Sequence, residues 1–76
     1  MNLINTKEVV DRFNISYQTL NYYTNLGFFT VVERRGNKRM YDLKEVACKI
    51  EDITSLKNQG YPLRLIVKKL NHKVQI

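Results

Sequence analysis

A short segment near the amino end carries the most distinctive side chains of this chain. It contains two amides, Gln18 and Asn21, and two phenols, Tyr17 and Tyr22. An amide has both a donor and an acceptor, so it can form two hydrogen bonds with an adenine edge. A phenol presents an apolar ring and a hydroxyl that can bond to a phosphate. These side chains suit recognition of a nucleic-acid groove.

Four cations form a second chemical cluster farther along the chain, namely Arg34, Arg35, Lys38 and Arg39. Such a cluster can neutralise phosphates and release their counterions. The whole chain is also basic, since 13 Lys and Arg against 7 Asp and Glu give a formal charge of +6. This balance is typical of nucleic-acid binders. A solvated basic turn on a protein that is merely soluble and basic remains the alternative.

Enzymatic chemistry is poorly supported by the sequence. The chain has one cysteine, Cys48, and one histidine, His72, and it has no CxxC or HxxxH spacing. One thiol and one imidazole do not make a zinc site. We expect Cys48 to behave as a small buried apolar residue on or beside the apolar stripe of its helix. The prediction is therefore a protein that is not an enzyme and has no metal site and no cofactor.

The length and composition favour a single small domain. A chain of 76 residues can bury one modest core. We predict a domain over residues 1–70 and a flexible tail over 71–76. There is no apolar run long enough to cross a membrane and no signal-peptide pattern. A single cysteine cannot form an internal disulfide, so a cytoplasmic location is expected.

Periodicity and capping signals predict four helices, at about 6–13, 16–25, 43–58 and 62–70. Thr6 is the predicted cap of the first helix, and Asn14 is suited to a left-handed turn after it. Ser16 then caps the second helix, and Gly27 ends it. Two helices joined by so short a turn form a helix-turn-helix unit.

The second helix is predicted to have two different sides. Leu20 and Tyr23 are three residues apart and can pack inward together. The opposite, outward side carries Gln18, Asn21, Tyr22 and Asn25. The outward side therefore presents amides and a phenol in place of charges.

The segment between the second and third helices predicts a β-hairpin. Gly36-Asn37 separates two β-prone runs and is typical of a hairpin turn, here over about 30–41. Asp42 and Glu45 have the spacing of a capping box at the start of the third helix. The predicted fold class is mainly α with a small β-hairpin wing, a winged helix-turn-helix.

Several sequence fragments occur in a distinctive order and spacing. They are Ile15-Ser16 with Thr19-Leu20 and Tyr22-Tyr23, Leu26-Gly27-Phe28-Phe29, Arg39-Met40-Tyr41, Asp42, and Gly60-Tyr61-Pro62-Leu63 before Ile66. Together they resemble the DNA-binding domain of the MerR-type regulators over about residues 4 to 70. The resemblance implies that the helix at 16–25 lies in the major groove of DNA and that the wing contacts the flanking backbone.

Carried over by position, the resemblance implies a DNA-contacting set drawn from two elements. The helix contributes Ser16, Tyr17, Gln18, Thr19, Asn21 and Tyr22, and the wing contributes Arg34, Arg35, Lys38 and Arg39. Gln18 and Asn21 stand where the family commonly has arginines, which shifts the expected preference toward adenine. Asn37 replaces an expected glycine, and the wing is about one residue shorter than in the family.

We therefore predict a sequence-specific double-stranded DNA-binding protein that acts as a transcriptional regulator, associated with the nucleoid in the bacterial cytoplasm. Because it has few base-reading side chains, we expect a homo-oligomer or a cooperative assembly on DNA. The dimerisation helix and effector domain of the family are not expected in this chain, nor is a small-molecule effector. A DNA-organising factor, such as an excisionase or partition protein, and a protein-interaction module remain alternatives. RNA fits less well because its major groove is narrow.

Overall fold

The computed structural model describes the backbone of residues 1–72 and the side chains of residues 1–70. It contains four helices and a three-stranded antiparallel sheet. The elements in chain order are β1 (Leu3–Asn5), α1 (Thr6–Phe13), α2 (Tyr17–Asn25), β2 (Val31–Arg35), β3 (Lys38–Asp42), α3 (Leu43–Asn58) and α4 (Leu63–His72). The predicted class, mainly helical with a hairpin wing, is confirmed.

The sheet contains one strand that the sequence did not predict. β1 pairs with β3, so that Ile4 lies opposite Tyr41, and the strand order is β1-β3-β2. β2 and β3 form the predicted hairpin, joined by the two-residue turn at Gly36 and Asn37. Gly36 has a φ of +62°, and glycine at the first turn position is typical of a type II′ turn. The wing is therefore a hairpin with a third strand along one edge.

The first helix has its predicted bounds, 6–13, but its cap lies one residue earlier than expected. Its cap is Asn5 and not Thr6, because the Asn5 side chain accepts a hydrogen bond from the Glu8 backbone nitrogen at 2.9 Å. The Glu8 carboxylate in turn accepts from the Asn5 backbone nitrogen at 3.0 Å, which completes a capping box. The left-handed turn predicted at Asn14 is confirmed, with φ 54° and ψ 48°.

The second helix begins and ends as predicted. Ser16 is its cap, and Gly27 follows its last turn with a φ of +89°. The Phe28 backbone nitrogen donates to the Tyr23 carbonyl at 3.0 Å, and the nitrogen of Gly27 donates to the Thr24 carbonyl at 3.1 Å. This pair of bonds is a Schellman motif, which needs a left-handed residue and hence favours glycine.

The core lies between the sheet and the apolar sides of the helices. Its buried side chains are Ile4, Val9, Leu20, Tyr23, Phe28, Phe29, Tyr41, Val46, Ile53, Ile66 and Leu70. The expected inward positions of Leu20 and Tyr23 are thus confirmed. Cys48, expected to be buried, is exposed, because it lies on the other side of α3 from Val46 and Ile53.

The fourth helix differs slightly from its predicted bounds. It begins at Leu63 and continues to His72, two residues past the predicted end. The rest of the predicted tail, 73–76, lies outside the described residues. Within residues 1–72, none of the helices is long and apolar enough to span a bilayer.

Candidate nucleic-acid interface

The outer side of α2 is polar and carries no charge. Its inner side is fixed in the core by Leu20 and Tyr23, which are 0% and 7% exposed. The side chains that remain exposed are Tyr17, Gln18, Asn21, Tyr22 and Asn25. A surface helix normally covers its outer side with charged residues. Amides and phenols in their place give a surface that can donate and accept hydrogen bonds.

Ser16 and Thr19, two of the predicted contact residues, have local roles at the start of α2. The Ser16 hydroxyl accepts from the Thr19 backbone nitrogen at 3.0 Å and donates to the Thr19 hydroxyl at 3.0 Å. The first turn of α2 contains no acidic residue. The positive end of its dipole is therefore not offset by a carboxylate, which favours an approaching anion.

The four wing cations lie in two cross-strand pairs. Arg34 is opposite Arg39, and Arg35 is opposite Lys38. Because neighbouring positions of a strand point to opposite faces, the two pairs lie on different faces of the wing. The Arg35 guanidinium forms an ion pair with Glu33, with Nε 2.8 Å from Oε2.

Two of the wing cations have no such partner. The side chains of Arg34 and Lys38 are exposed and form no hydrogen bond or ion pair with another residue in the described part of the chain. An unpaired cation needs no rearrangement before it binds a phosphate. Arg34 and Lys38 are therefore better placed for an anion than Arg35.

The wing is connected to α2 by two side-chain bridges, one at the exposed Asn21 and one at the half-buried Thr24. Arg39 donates from Nη1 to the Asn21 side-chain oxygen at 3.1 Å. The hydroxyls of Thr24 and Tyr41 are 3.2 Å apart and share a hydrogen bond. Asn21 and Thr24 are three residues apart and therefore lie on one side of α2. Arg39 and Tyr41 are two residues apart and therefore lie on one face of β3, which is the face toward α2. Helix and wing consequently form a single surface.

The base of the wing is held by Glu45 of α3. The Glu45 carboxylate accepts from the Thr30 backbone nitrogen at 2.9 Å and from the Thr30 hydroxyl at 3.2 Å. The predicted capping box is therefore only half right. Asp42 does cap α3, accepting from the Lys44 backbone nitrogen at 3.2 Å, but Glu45 bonds to Thr30, which precedes the wing.

Two residues beside this surface were missing from the predicted set. Asn25 is exposed on the same side of α2, and helical periodicity already indicated that position. Lys7 lines a shallow groove of about 270 Å³ together with Tyr17 and Lys38. Nothing local in the sequence indicated Lys7, because its position near the wing depends on the pairing of β1 with β3.

The chemistry available at this surface is that of binding. It combines amide and phenol hydrogen-bonding groups on α2 with cations on the wing. No group of three or more His, Cys, Asp or Glu side chains that could hold a metal ion is found within the described residues. A polar helix beside a basic wing defines a winged helix-turn-helix domain.

Comparison with known proteins agrees with this class. The family model of the MerR helix-turn-helix regulatory proteins matches residues 4–73. No curated protein and no solved structure matches the chain. The chain belongs to the MerR family of helix-turn-helix regulatory proteins, and the resemblance inferred from its sequence fragments is confirmed. At the level of the family, it is a DNA-binding transcription regulator.

Proposed function

We propose that the protein is a sequence-specific regulator that binds double-stranded DNA with α2 in the major groove and the wing on the flanking backbone. The observation that carries this proposal is the uncharged polar side of α2 bridged to a basic wing. A major groove admits one helix, whose exposed side chains then meet the base edges. Cations at its border neutralise phosphates on either side of the groove.

The proposed mechanism separates positioning from base recognition. Arg34 and Lys38 bind phosphates, because both are exposed and neither has a side-chain partner among the described residues. Gln18 is exposed and equally unengaged, so both groups of its amide can meet an adenine. One such two-bond contact gives roughly 1–3 kcal/mol of discrimination between bases. Tyr17 and Tyr22 contribute phosphate or sugar contacts at the two borders of the helix surface.

The small number of base-reading side chains also bears on assembly. One or two contacts of this size leave a single copy with modest specificity, since each mismatch costs only about 1–3 kcal/mol. We therefore propose that two or more copies bind adjacent sites, and that residues 1–70 form the DNA-binding unit of each copy. The proposed site of action is the nucleoid, in the cytoplasm.

Selection from a pool of random duplexes, at one fixed salt concentration, tests the proposed function. Enrichment of a defined motif supports sequence-specific binding, and an inverted, direct or single layout identifies how the copies assemble. Retention of duplexes without enrichment would instead support an architectural protein that binds the backbone. If no duplex is retained even at low salt, the DNA-binding proposal fails and a protein partner becomes the better hypothesis.

A further inference from the structure

We propose that Arg39 is a specificity-determining residue that acts through Asn21, and that the two together select guanine. The inference rests on the proposed placement of α2 in the major groove. It differs from the expectation drawn from the sequence, in which Gln18 and Asn21 both favour adenine. The difference comes from the hydrogen bond that joins Arg39 to Asn21.

The direction of that bond fixes the orientation of the Asn21 amide. A guanidinium has five donors and no acceptor, so only the oxygen of an amide can face it. Nη1 of Arg39 lies 3.1 Å from Oδ1 of Asn21, a normal hydrogen-bond distance. The amide nitrogen, with its two N–H groups, is then the free end of the exposed Asn21 side chain.

The surrounding structure holds this pair in place. One turn farther along α2, Thr24 shares a hydrogen bond with the Tyr41 hydroxyl, and its own hydroxyl also donates to the Leu20 carbonyl at 2.8 Å. Tyr41 is fully buried, so β3 cannot slide along α2 without disturbing the core. Arg39, two residues before Tyr41, is itself only partly exposed. The bridge is thus set by the register of β3.

The pattern of donors determines the preferred base. Adenine requires an acceptor for its N6 amino group as well as a donor for N7. The Asn21 oxygen, which would supply that acceptor, already accepts a charge-assisted hydrogen bond from Arg39. One of its two lone pairs is used, and the guanidinium charge beside it weakens the other as an acceptor for the N6 amino group. The pair instead presents N–H groups from the amide and from the rest of the guanidinium. Guanine offers two acceptors, O6 and N7, in the major groove, and it is the base that matches this pattern.

Gln18 provides an internal comparison on the same helix. Its amide has no partner among the described residues, so it retains both a donor and an acceptor for DNA. The two amides, which look equivalent in the sequence, are therefore expected to differ. Gln18 should prefer adenine, whereas Asn21 should not, because its oxygen is bonded to Arg39 of the wing.

The test is selection from random duplexes by four variants beside the parent protein, with a fifth, Asn21→Asp, as a second test from the helix. Asn21→Ala first identifies the base pair that Asn21 contacts, as the position whose preference disappears. At that position we expect guanine for the parent protein. Arg39→Met keeps a long unbranched side chain but removes every donor, which frees the amide oxygen. We expect it to shift the guanine-to-adenine ratio toward adenine by roughly tenfold or more. Arg39→Lys retains a donor and should keep guanine.

Arg34→Met is the matched control, because Arg34 lies opposite Arg39 on the wing and does not contact Asn21. It should weaken binding to every duplex and leave the motif unchanged. Thermal unfolding of each variant establishes that it is folded under the conditions of selection. Should Arg39→Met not fold, Asn21→Asp tests the same idea from the helix, since a carboxylate keeps the Arg39 bond and removes the amide donors. Guanine should then be lost.

The outcomes separate this inference from the proposed function. If the parent protein enriches no motif, the proposed function fails first. If it enriches a motif with adenine at the Asn21 position, or if Arg39→Met selects the same base as the parent, the inference is overturned while sequence-specific binding stands. Persistence of guanine in Asn21→Asp would overturn it as well.

Discussion

In the part of the chain that the structure describes, Arg35 forms an ion pair on the wing and Arg34 does not, so we predict that Arg34 contributes more to DNA binding than Arg35. The Arg35 side chain is paired with Glu33 at 2.8 Å, and the two side chains are 61% and 45% exposed. Such a pair is worth only about 0–1 kcal/mol to stability. The pair has a larger effect on the affinity for DNA, because the Glu33 carboxylate offsets the charge of Arg35 and repels a phosphate. Arg34 has no neighbour of this kind among the described residues.

The magnitude follows from counterion release. Each phosphate contact contributes about 0.9 to the slope of log K against log salt on duplex DNA. Arg34→Ala should remove one such contact. Between about 50 and 200 mM salt, the parent protein should then lose roughly 3.5-fold more affinity than the variant. Arg35→Ala should flatten the slope by less than this, and Glu33→Gln should raise affinity at every salt concentration.

The assay is fluorescence anisotropy of one labelled duplex, titrated at several salt concentrations with each variant. A double variant completes the comparison. In the Glu33→Gln background, Arg35 no longer faces a carboxylate. There, Arg35→Ala should reduce the slope of log K against log salt by as much as Arg34→Ala reduces it in the parent protein. The reasoning is refuted if Arg35→Ala flattens the slope more than Arg34→Ala in the parent background, or if Glu33→Gln weakens binding.

Three further substitutions test the helix, the base of the wing and the core. Gln18→Ala should lower discrimination at one base pair by about 1–3 kcal/mol and leave binding to random duplexes unchanged; an equal loss on both would contradict its role in base recognition. Glu45→Gln should weaken the bond to Thr30, and we expect it to lower the free energy of unfolding by about 1 kcal/mol and to speed amide hydrogen exchange in β2. The control Glu51→Gln, on the exposed side of the same helix, should change neither the free energy nor the exchange. Leu20→Ala should lower the free energy of unfolding in urea by about 2–5 kcal/mol, and a loss below that range would show that the α2 contact with the core is looser than its full burial indicates.

The helix-turn-helix could be predicted because its bonds are local. The Ser16 hydroxyl accepts from the Thr19 backbone nitrogen, and the backbone nitrogens of Gly27 and Phe28 donate to the carbonyls of Thr24 and Tyr23 in the last turn of α2. Asn14 needs nothing but its own backbone preference to form the turn. The burial expected for Cys48 was wrong, and local geometry could have shown this, since counting from Val46 at 3.6 residues per turn places Cys48 away from the core. The conformation or exposure of each of these residues depends only on residues a few positions away in the sequence, so the sequence pattern is enough to predict it.

The features that sequence reasoning missed depend on partners far along the chain. Glu45 has the spacing of a capping box with Asp42, but its carboxylate bonds to Thr30, fifteen positions earlier. A three-residue strand such as β1 is too short to show an alternating pattern. The orientation of Asn21 depends on a wing residue eighteen positions later. In each case a tertiary contact outweighed or supplemented the local signal.

The central position of β3 has a consequence for how the protein folds. The hairpin of β2 and β3 closes through a two-residue turn, so it costs little chain entropy and can form early. β1 must return from the other end of that span, since Leu3 pairs with Asp42. Contacts of high sequence separation generally slow folding, so we expect β1 to pair with β3 after the hairpin has formed. The wing is thus expected to begin as a local hairpin and to be completed as a three-stranded sheet only when β1, from the start of the chain, pairs with β3.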